Sequence, residues 1–358
     1  MIIITTQCFF PKIGGIEALM TGMANAMSKS NKEVLVLADG LYQEEDNIFN
    51  FNIIRFNQWK PIRRRRKVRY IREVCKNNKV EAIYADSWKS IEHLKHLSVP
   101  IFVLAHGTEI QKNYGFLNFY KIAKQFRIIK SYKNAHKIVA NSSYTKDLLL
   151  ESLNIHKKKI KVIHPGIDIY DKFITKVTTN KVKKIIGNSK PIILTLARLE
   201  FRKGHLDVLK SLSKLIIKYP NLLYVIAGDG PIKKKIKQQA SDLNLIKNIR
   251  FLGWITEPEK SALLKKTDLF VMTPHLDQES VEGFGMSFID AAFHGIATVG
   301  TNSGGIQDAI IDGKTGLIAK TSDINDITKK IDELLSNEFK RNKLGKEGKK
   351  NAYEKFIW

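Results

Sequence analysis

Short apolar runs rich in β-branched residues alternate with stretches of helical periodicity along almost the whole chain. Strands buried in a parallel sheet are apolar along their length, and a crossover helix connects each one to the next in the same direction. The alternation therefore predicts an α/β protein with doubly wound parallel sheets. Strands are predicted at 2–5, 33–38, 82–85, 101–105, 137–140, 191–197, 223–227, 249–252, 269–273 and 297–301.

The strand pattern is interrupted between His164 and Lys190, where a Pro-Gly pair precedes a polar, lysine-rich stretch. Pro191 then opens a new strand, which is typical of a linker between domains. A chain of 358 residues with 43% hydrophobic content is long enough for two packed cores. We predict one domain over residues 1–168 and a second over 169–344, with a ligand in the crevice outside the carboxyl ends of the strands.

Cysteine content and hydropathy narrow the class of protein. Cys8 and Cys75 are too few for a disulfide framework and lack the spacing of metal ligands, so we expect a reducing compartment. Residues 1–10 are apolar but have no basic leader, and we interpret them as a buried first strand. No stretch approaches the roughly 20 apolar residues that a membrane span requires. The expected location is the cytoplasm, with peripheral attachment to the inner face of the membrane.

The chain is strongly basic, with 60 Lys and Arg against 35 Asp and Glu and a net charge of +25. Such a charge indicates an anionic partner, such as acidic lipid, nucleic acid or a phosphorylated substrate. Lysine is abundant throughout, so a purely compositional excess is the alternative. The charge is densest at 60–79, with ten basic residues and one acid. A second basic stripe consists of Lys121, Lys124, Arg127, Lys130, Lys133 and Lys137.

The segment 60–79 has the pattern of an amphipathic helix. Val68, Ile71 and Val74 recur every three residues and are predicted to face the core, with Trp59 and Ile62 at the margin. A basic face with aromatic anchors suits anionic lipid headgroups. We predict peripheral membrane binding, with a solvated basic face and nucleic-acid binding as alternatives. The residues predicted to bind the membrane are Arg63, Arg64, Arg65, Arg66, Lys67 and Arg69.

Two carboxylates, Glu282 and Asp290, bracket a glycine-rich turn that runs into a helix-forming segment. The first N–H groups of such a helix are unpaired and lie at its positive dipole end, where a pyrophosphate binds well. Asp290 follows Glu282 by about two helical turns, so both can point to one cleft. This geometry suits a sugar at one end and a ribose at the other. The turn residues are Gly283, Phe284, Gly285, Met286 and Ser287.

Further motifs occur in a fixed order along the chain. They are Gly14-Gly15-Ile16-Glu17, His106-Gly107-Thr108-Glu109, His164-Pro165-Gly166-Ile167-Asp168, Arg198 with Lys203-Gly204, and Gly228-Asp229-Gly230-Pro231. With the segment 282–290, this ordered set resembles the signature of the retaining, nucleotide-sugar-dependent glycosyltransferases with the GT-B fold. That group contains the phosphatidylinositol mannosyltransferases, sucrose synthases and lipopolysaccharide core transferases. The group usually has Glu at both ends of the bracketed segment, whereas this chain has Asp290.

The resemblance implies two Rossmann-like domains that face each other across a cleft, the first for the acceptor and the second for the donor. It also implies that a final helix, at about 345–358, packs back onto the first domain. The donor is a nucleotide diphosphate sugar, bound as a substrate, and no cofactor is expected. The chain has no Asp-x-Asp pair, so we predict metal independence, with the charge of the leaving diphosphate offset by side chains.

The resemblance also assigns roles to individual residues. Arg198 and Lys203 stabilise the departing diphosphate, or are an ordinary surface pair. His106 lies at the donor sugar, or is a packed imidazole. Glu282 binds sugar hydroxyls and Asp290 the ribose. Gly14 and Gly15 approach the donor phosphate, or form a plain turn, and Ile255 belongs to the segment that meets the edge of the base.

Together these observations predict a metal-independent, retaining hexosyltransferase that acts on a lipid-linked or membrane-embedded acceptor. The same chemistry on a soluble small-molecule acceptor is the alternative. A polyanion-binding protein on an inactive GT-B scaffold is a third possibility. The chain has no RNA-binding aromatic signature and no zinc spacing, so no nucleic-acid partner is expected.

Overall fold

The computed structural model describes residues 1–12, 14–94, 97–110, 119–167, 174–277 and 280–358, with only the backbone for 119–121. The chain divides into two compact units, Met1–Ile167 together with Trp358, and Asp168–Ile357. The domain boundary predicted at 168/169 falls on residues 168–173, which lie outside the described residues. The side chain of Lys121 lies outside them too.

The first unit is a parallel sheet covered by helices. Its described strands are β1 (Ile2–Thr5), β2 (Val34–Asp39), β3 (Asn52–Phe56), β4 (Ala82–Ala85), β5 (Ile101–Ala105), β6 (Lys137–Ala140) and β7 (Ile160–Val162). Its described helices are α1 (Gly15–Lys29), α2 (Lys60–Asn77), α3 (Trp88–Ile91), α4 (Phe119–Asn134) and α5 (Ser143–Leu153). The strands lie in the order β3-β2-β1-β4-β5-β6-β7, with Ile3 opposite both Leu35 and Ile83.

The order of strands in this sheet reverses between β1 and β4. After β1 the chain continues to β2 on one side, and after β4 it continues to β5 on the other. The loops that follow these two strands therefore separate and leave a crevice at the carboxyl edge, where doubly wound sheets bind ligands. Both central strands are mostly apolar, and Ile3, Ile4 and Ile83 are inaccessible to solvent.

The second unit has the same design. Its described strands are β8 (Ile192–Leu196), β9 (Leu223–Ala227), β10 (Ile249–Gly253), β11 (Leu269–Val271), β12 (Thr298–Thr301) and β13 (Leu317–Ala319). Its described helices are α6 (Lys176–Ile186), α7 (His205–Leu215), α8 (Lys233–Asp242), α9 (Glu257–Leu264), α10 (Met286–Phe293), α11 (Ile306–Ala309), α12 (Ile324–Ser336) and α13 (Glu338–Lys355). The strand order is β10-β9-β8-β11-β12-β13, all parallel, so here the reversal falls between β8 and β11.

The structure confirms the predicted fold class of two parallel-sheet α/β domains, and each predicted strand is present to within two residues at either end. The sequence patterns miss β3, β7 and β13. Asn52 and Arg55 interrupt the apolar run of β3, which lies at a sheet edge. The other two are edge strands of three residues, too short for periodicity to be recognised.

The final helix, α13, packs within the second unit for most of its length. Leu344 and Ala352 are buried, and Gly345 lies so close to the carbonyl of Gly295 that a Cβ atom there would collide with it. The glycine lets α13 pack closely on the turn that follows α10. Trp358 alone groups with the first unit, where its indole lies against Gly22. The predicted return of residues 345–358 to the first domain is therefore seen only at the last residue.

Within the described residues, no helix combines the length and the apolar character needed to cross a bilayer.

Candidate active site

A cluster of charged side chains in the second unit lies where the strand order reverses. The loop after β8 carries Arg198 and Lys203, and the loop after β11 carries Glu282 before it enters α10. Because β8 and β11 are parallel neighbours, these two loops emerge side by side at the carboxyl edge of the sheet. The position is the one at which open α/β sheets bind ligands.

Glu282 is held by two cations. Its carboxylate accepts hydrogen bonds from Lys203 Nζ and, at 3.0 Å, from Arg202 Nη1, and its side chain is 13% exposed. Burial by itself raises the pKa of Glu282, but the charges and hydrogen bonds of Lys203 and Arg202 lower it below its usual value. Glu282 is therefore an ionised acceptor at neutral pH, able to bind hydroxyl groups of a ligand.

The loop that presents Lys203 is locked to the neighbouring strand. Gly204 follows Lys203 with φ of 75°, in the left-handed region, and a Cβ atom there would collide with the carbonyl oxygen of Thr273. The Thr273 hydroxyl donates to the Gly204 carbonyl at 2.9 Å, and the His275 N–H donates to the Arg202 carbonyl at 2.9 Å. Only glycine fits this approach, and the rigid turn fixes the backbone from which Lys203 reaches Glu282.

Arg198 has a different environment from Lys203. Its side chain is 61% exposed, and its guanidinium lies 3.2 Å from the carboxylate of Glu200. Glu200 also holds Arg202 at 2.9 Å, so one carboxylate links two arginines of the same loop. The structure thus offers two kinds of cation, a buried lysine already paired with Glu282 and an exposed arginine that can rearrange at little cost.

The glycine-rich turn leads into α10 as predicted from its sequence. Gly285, with φ of 93°, immediately precedes the helix, and the Ser287 hydroxyl donates to the carbonyl of Leu196 at 2.7 Å. Because the proton of that hydroxyl anchors the helix to β8, the Ser287 side chain can only accept from a ligand, and a donated hydrogen bond has to come from its backbone. Phe284 is buried with its ring against Phe356, so it offers a ligand only its backbone groups.

Asp290 lies further along α10 and is paired with a lysine from another helix. Its Oδ1 atom is 3.0 Å from Nζ of Lys260, which is also 2.6 Å from the carboxylate of Glu257. Burial lowers the pKa of Lys260, but the two carboxylates outweigh it and raise the pKa above its usual value. Lys260 is therefore a permanent cation beside Asp290.

The structure brings Lys203 and Glu282 into direct contact, whereas Asp290 and Arg198 are paired with other residues. Asp290 has its own partner, and Arg198 contacts Glu200. Ile255 follows β10, which is separated from β8 by β9. It is half-buried at the same carboxyl edge of the sheet, next to the exposed Trp254.

His106 directly follows β5 of the first unit and is held from two sides. Its Nε2 atom is 2.8 Å from the carbonyl oxygen of Asp86, and its backbone N–H donates to Glu109 at 2.8 Å. A carbonyl only accepts, so Nε2 carries a proton, and in the neutral ring Nδ1 is the acceptor. Asp86 is itself buried and accepts from the backbone of Gln7 and the hydroxyl of Ser90, both at 2.6 Å. The histidine is thus positioned by the loops at the β1 and β4 reversal.

Gly14 and Gly15 stand at the start of α1, as predicted. The carboxylate of Glu17 folds back over this turn, and a Cβ atom on Gly14 would collide with it. Burial, and then the Glu17 charge, raise the pKa of Cys8 to about 12, so the nearby thiol stays protonated at neutral pH. A carboxylate of the chain itself thus occupies the helix end at which a donor phosphate was predicted, and that contact stays a prediction.

Lys67 corrects the prediction of an outward basic helix. Only 3% of its side chain is exposed, and its Nζ atom lies 2.6 Å from Asp39 Oδ1 and 2.5 Å from the carbonyl of Thr6. The prediction that Lys67 binds a membrane is wrong. Lys67 precedes the buried Ile71 by four residues, so it lies on the inward stripe of α2 and meets the acid at the end of β2.

Two further members of the predicted membrane-binding set are engaged inside the unit. Arg63 is paired with Asp39 at 2.7 Å and Arg64 with Glu92 at 2.8 Å, and both side chains are four-fifths covered. These pairs arise because 63 and 64 lie one turn before the buried Lys67 on the same side of α2. The outward-facing members of the predicted set are Arg65, Arg66 and Arg69.

Several charged residues of these clusters were missed by sequence reasoning, and among them are Asp39, Asp86, Arg202 and Lys260. A signal existed for the first two, because an acid that ends or directly follows a buried strand lies at the ligand-binding edge of the sheet. Arg202 is adjacent to Lys203 and gave no separate signal. Lys260 is 30 residues from its partner, and nothing in the local sequence marks it.

Two family profiles match the chain. The profile described as Glycosyl transferases group 1 matches residues 176–351, and the one described as Glycosyltransferase Family 4 matches residues 13–171. Together with the two parallel-sheet domains, these matches show that the chain belongs to the group 1 glycosyltransferases with the GT-B fold.

Individual relatives are distant. A GDP-mannose-dependent alpha-(1-6)-phosphatidylinositol monomannoside mannosyltransferase from Mycolicibacterium smegmatis is 28% identical over 198 residues, 54% of this chain and 52% of that protein. The mannosylfructose-phosphate synthase of Agrobacterium fabrum is 25% identical over 236 residues, 63% of this chain and 51% of that protein. The chain thus spans about half the length of either relative. The crystal structure of HepE from Anabaena in complex with UDP and glucose superposes with a TM-score of 0.80 at 18% identity, covering 100% of this chain and 96% of that one.

Proposed function

We propose that this glycosyltransferase moves a hexosyl unit from a nucleoside diphosphate sugar to a lipid-linked or membrane-embedded acceptor, with retention of anomeric configuration and without a metal ion. The observation that carries the proposal is the buried, ionised Glu282 between Lys203 and Arg202, at the strand reversal of the second unit. This arrangement combines an acceptor for sugar hydroxyls with cations for a diphosphate. The solved neighbour that contains UDP and glucose supports a donor of this class.

The proposed chemistry depends on charge that develops as the glycosidic bond breaks. Negative charge grows on the leaving diphosphate, and fixed cations stabilise it most when they are oriented before the reaction. Lys203 is such a cation, since the turn at Gly204 fixes its backbone and the Glu282 carboxylate holds its ammonium group. In the proposal, Arg198 moves from Glu200 to the diphosphate, and His106 positions the reacting sugar. Side chains thus supply the stabilisation that a metal ion provides in other transferases.

The donor half of the proposal can be tested with one matched pair of variants. Wild-type protein is screened for thermal stabilisation by UDP-, GDP- and ADP-sugars, and the single-turnover rate is measured with the best donor. Lys203→Met should lower that rate by a factor of about 100, whereas Lys210→Met, an exposed lysine of α7, should leave it unchanged. Wild-type turnover in Lys203→Met contradicts the assignment. EDTA should have no effect, and NMR should show a product with the anomeric configuration of the donor.

The membrane half of the proposal is supported by an exposed surface of the first unit. Arg65, Arg66 and Arg69 face solvent on α2, and at its start Trp59 is 74% and Ile62 is 49% exposed. Cations beside exposed aromatic and aliphatic side chains suit the interface of an anionic bilayer. The mycobacterial relative is named for a phosphatidylinositol acceptor, which agrees with this proposal.

The neighbouring loop extends the apolar part of this surface. Leu41 and Tyr42, which follow β2, are both more than 60% exposed. The N–H of Gly40 donates to the carbonyl of Phe56 at 2.9 Å, so this loop lies beside the one that leads to α2. Glu44 and Glu45 are also exposed here and oppose an anionic surface. The membrane contact is therefore assigned to α2 and its apolar start.

Liposome flotation tests this assignment. The variant R65S/R66S/R69S should lose binding to anionic vesicles at low salt, because each cation contributes about 1 kcal/mol at such a surface. The variant K343S/K346S/K349S removes the same charge from the exposed face of α13 and should still float. If both variants float like wild type, α2 is not the contact. If wild type never floats, the soluble acceptor becomes the favoured alternative, in line with the relative named as a mannosylfructose-phosphate synthase.

A further inference from the structure

Lys260 stands between the carboxylates of two helices. It lies on α9, 2.6 Å from Glu257 of the same helix and 3.0 Å from Asp290 Oδ1 on α10. The side chains of Lys260 and Asp290 are less than one-fifth exposed, whereas Glu257 is nearly half exposed. The pair that joins the two helices is therefore the buried one, and the pair within α9 lies at its rim.

The buried pair restricts the Asp290 carboxylate. A free aspartate side chain rotates about two bonds, and a buried hydrogen bond to an ammonium fixes one of its oxygens. An ionised carboxylate can accept about four hydrogen bonds, so the Lys260 contact at Oδ1 leaves capacity at Oδ2. Lys260 thus fixes the orientation of Asp290 without using up its capacity as an acceptor.

The same pair also adjusts the charge near the start of α10. A buried carboxylate without a cation would repel a diphosphate bound at the start of this helix. Lys260 offsets the charge of Asp290, while the half-exposed carboxylate of Glu257 is partly screened by solvent. This charge effect acts on every nucleoside diphosphate equally, whereas the orientation effect acts only on a ligand that hydrogen-bonds to Asp290.

We propose that Lys260 is a positioning residue for the ribose of the donor, which orients Asp290 to accept hydrogen bonds from the ribose hydroxyl groups. The inference rests on the proposed function, because it takes Asp290 as the ribose acceptor. It also explains how Asp290 can replace the longer glutamate that is usual in the family, since the lysine holds the carboxylate in one orientation. Lys260 itself contributes no reacting atom.

The competing explanation is that Lys260 only links α9 to α10 and has a purely structural role. Loss of a structural link weakens the binding of all nucleotides by the same factor, because it loosens the whole site. Loss of a positioning residue weakens specifically the discrimination between a ribonucleotide and its deoxy analogue. The ratio of two dissociation constants therefore separates the two roles.

The experiment measures the Kd of UDP or GDP, whichever wild type binds more tightly, and of its 2′-deoxy and 3′-deoxy analogues by calorimetry. Wild type should prefer the ribonucleotide over at least one analogue by about tenfold, the value of a hydrogen bond to a charged group. Asp290→Asn and Lys260→Met should both reduce this preference to about twofold or less. Lys260→Gln is the second variant if Lys260→Met does not fold. Glu257→Gln, at the rim, should keep the preference, and Lys260→Arg should retain most of it.

The outcomes separate the inference from the proposed function. If wild type binds no nucleoside diphosphate, or binds all three ligands equally, the ribose role of Asp290 fails and the inference fails with it. Suppose that wild type discriminates between the ribonucleotide and its deoxy analogues and that Asp290→Asn does not. If Lys260→Met then keeps the full preference while binding all ligands more weakly, Lys260 has only a structural role and the inference alone is overturned.

Discussion

Protonation of a buried histidine should weaken the second unit in mild acid. His205 is the first residue of α7, directly after the Gly204 turn, and it is inaccessible to solvent. Among the described residues, neither of its ring nitrogens has a hydrogen-bond partner. Burial, with a smaller contribution from the charge of Lys203, lowers the pKa of His205 from 6.5 to about 3.

The sign of the effect follows from proton uptake in the two states. The unfolded chain binds a proton at His205 near pH 6.5, whereas the folded unit binds it only near pH 3. Between these values the unfolded state holds more protons, so the free energy of unfolding falls as the pH falls. The contribution of His205 is complete above pH 6.5 and is lost progressively toward pH 3. At pH 5 the loss amounts to 1.5 pH units at about 1.4 kcal/mol each, or about 2 kcal/mol.

Hydrogen exchange of the buried amides of β8 and β9, referenced to intrinsic exchange at each pH, reports the stability of this unit. Between pH 7.5 and pH 5, wild type should lose about 2 kcal/mol more than His205→Leu, which cannot titrate. Comparing the two proteins cancels the contribution of carboxylates such as Glu282. Lys203→Met should keep the wild-type loss, because burial is the larger cause. An equal loss in wild type and His205→Leu would refute the reasoning.

Three further predictions concern single residues. Arg198→Ala should raise the activation free energy by about 3 kcal/mol and so lower the single-turnover rate. The melting temperature should not change, since the Arg198 side chain is largely exposed. Wild-type turnover in this variant would show that Arg198 is not part of the site. Lys67→Met should lower the free energy of unfolding of the first unit, measured in urea, by about 3 kcal/mol, because Asp39 loses a buried partner. The control Arg66→Met should change it by less than about 0.5 kcal/mol. Equal effects in the two variants would show that the buried pair contributes nothing. Gly204→Ala should destabilise the second unit more than Gly313→Ala. Gly313 has the same left-handed backbone, but no atom lies within 4 Å of where its Cβ would be. An equal loss of stability in both variants would rule out the collision with Thr273.

Local patterns determined the fold class and part of the site. A continuous apolar run such as 192–196 is typical of a strand covered by helices on both faces, whatever the sequences of those helices. The turn at Gly285 and the start of α10 follow from glycine and helix periodicity alone. The order of the motifs was sufficient to predict the family, because the loops that follow parallel strands gather at one edge of each sheet. These inferences needed only residues close together in the chain.

Pairs between distant residues were decided by the tertiary structure. The segment 60–79 shows how a charge count can mislead, since the side chains of Lys67 and Arg63 point inward to Asp39, which lies at the end of a strand. Which cations hold Glu282, and which lysine holds Asp290, depends on how the strands and helices pack across 30 to 80 residues of sequence. The sequence by itself determined where chemistry gathers, because each strand end is a local feature. Only the packed chain determined which charges are already paired there, because a buried ion needs its partner within hydrogen-bond distance, whatever their separation in sequence.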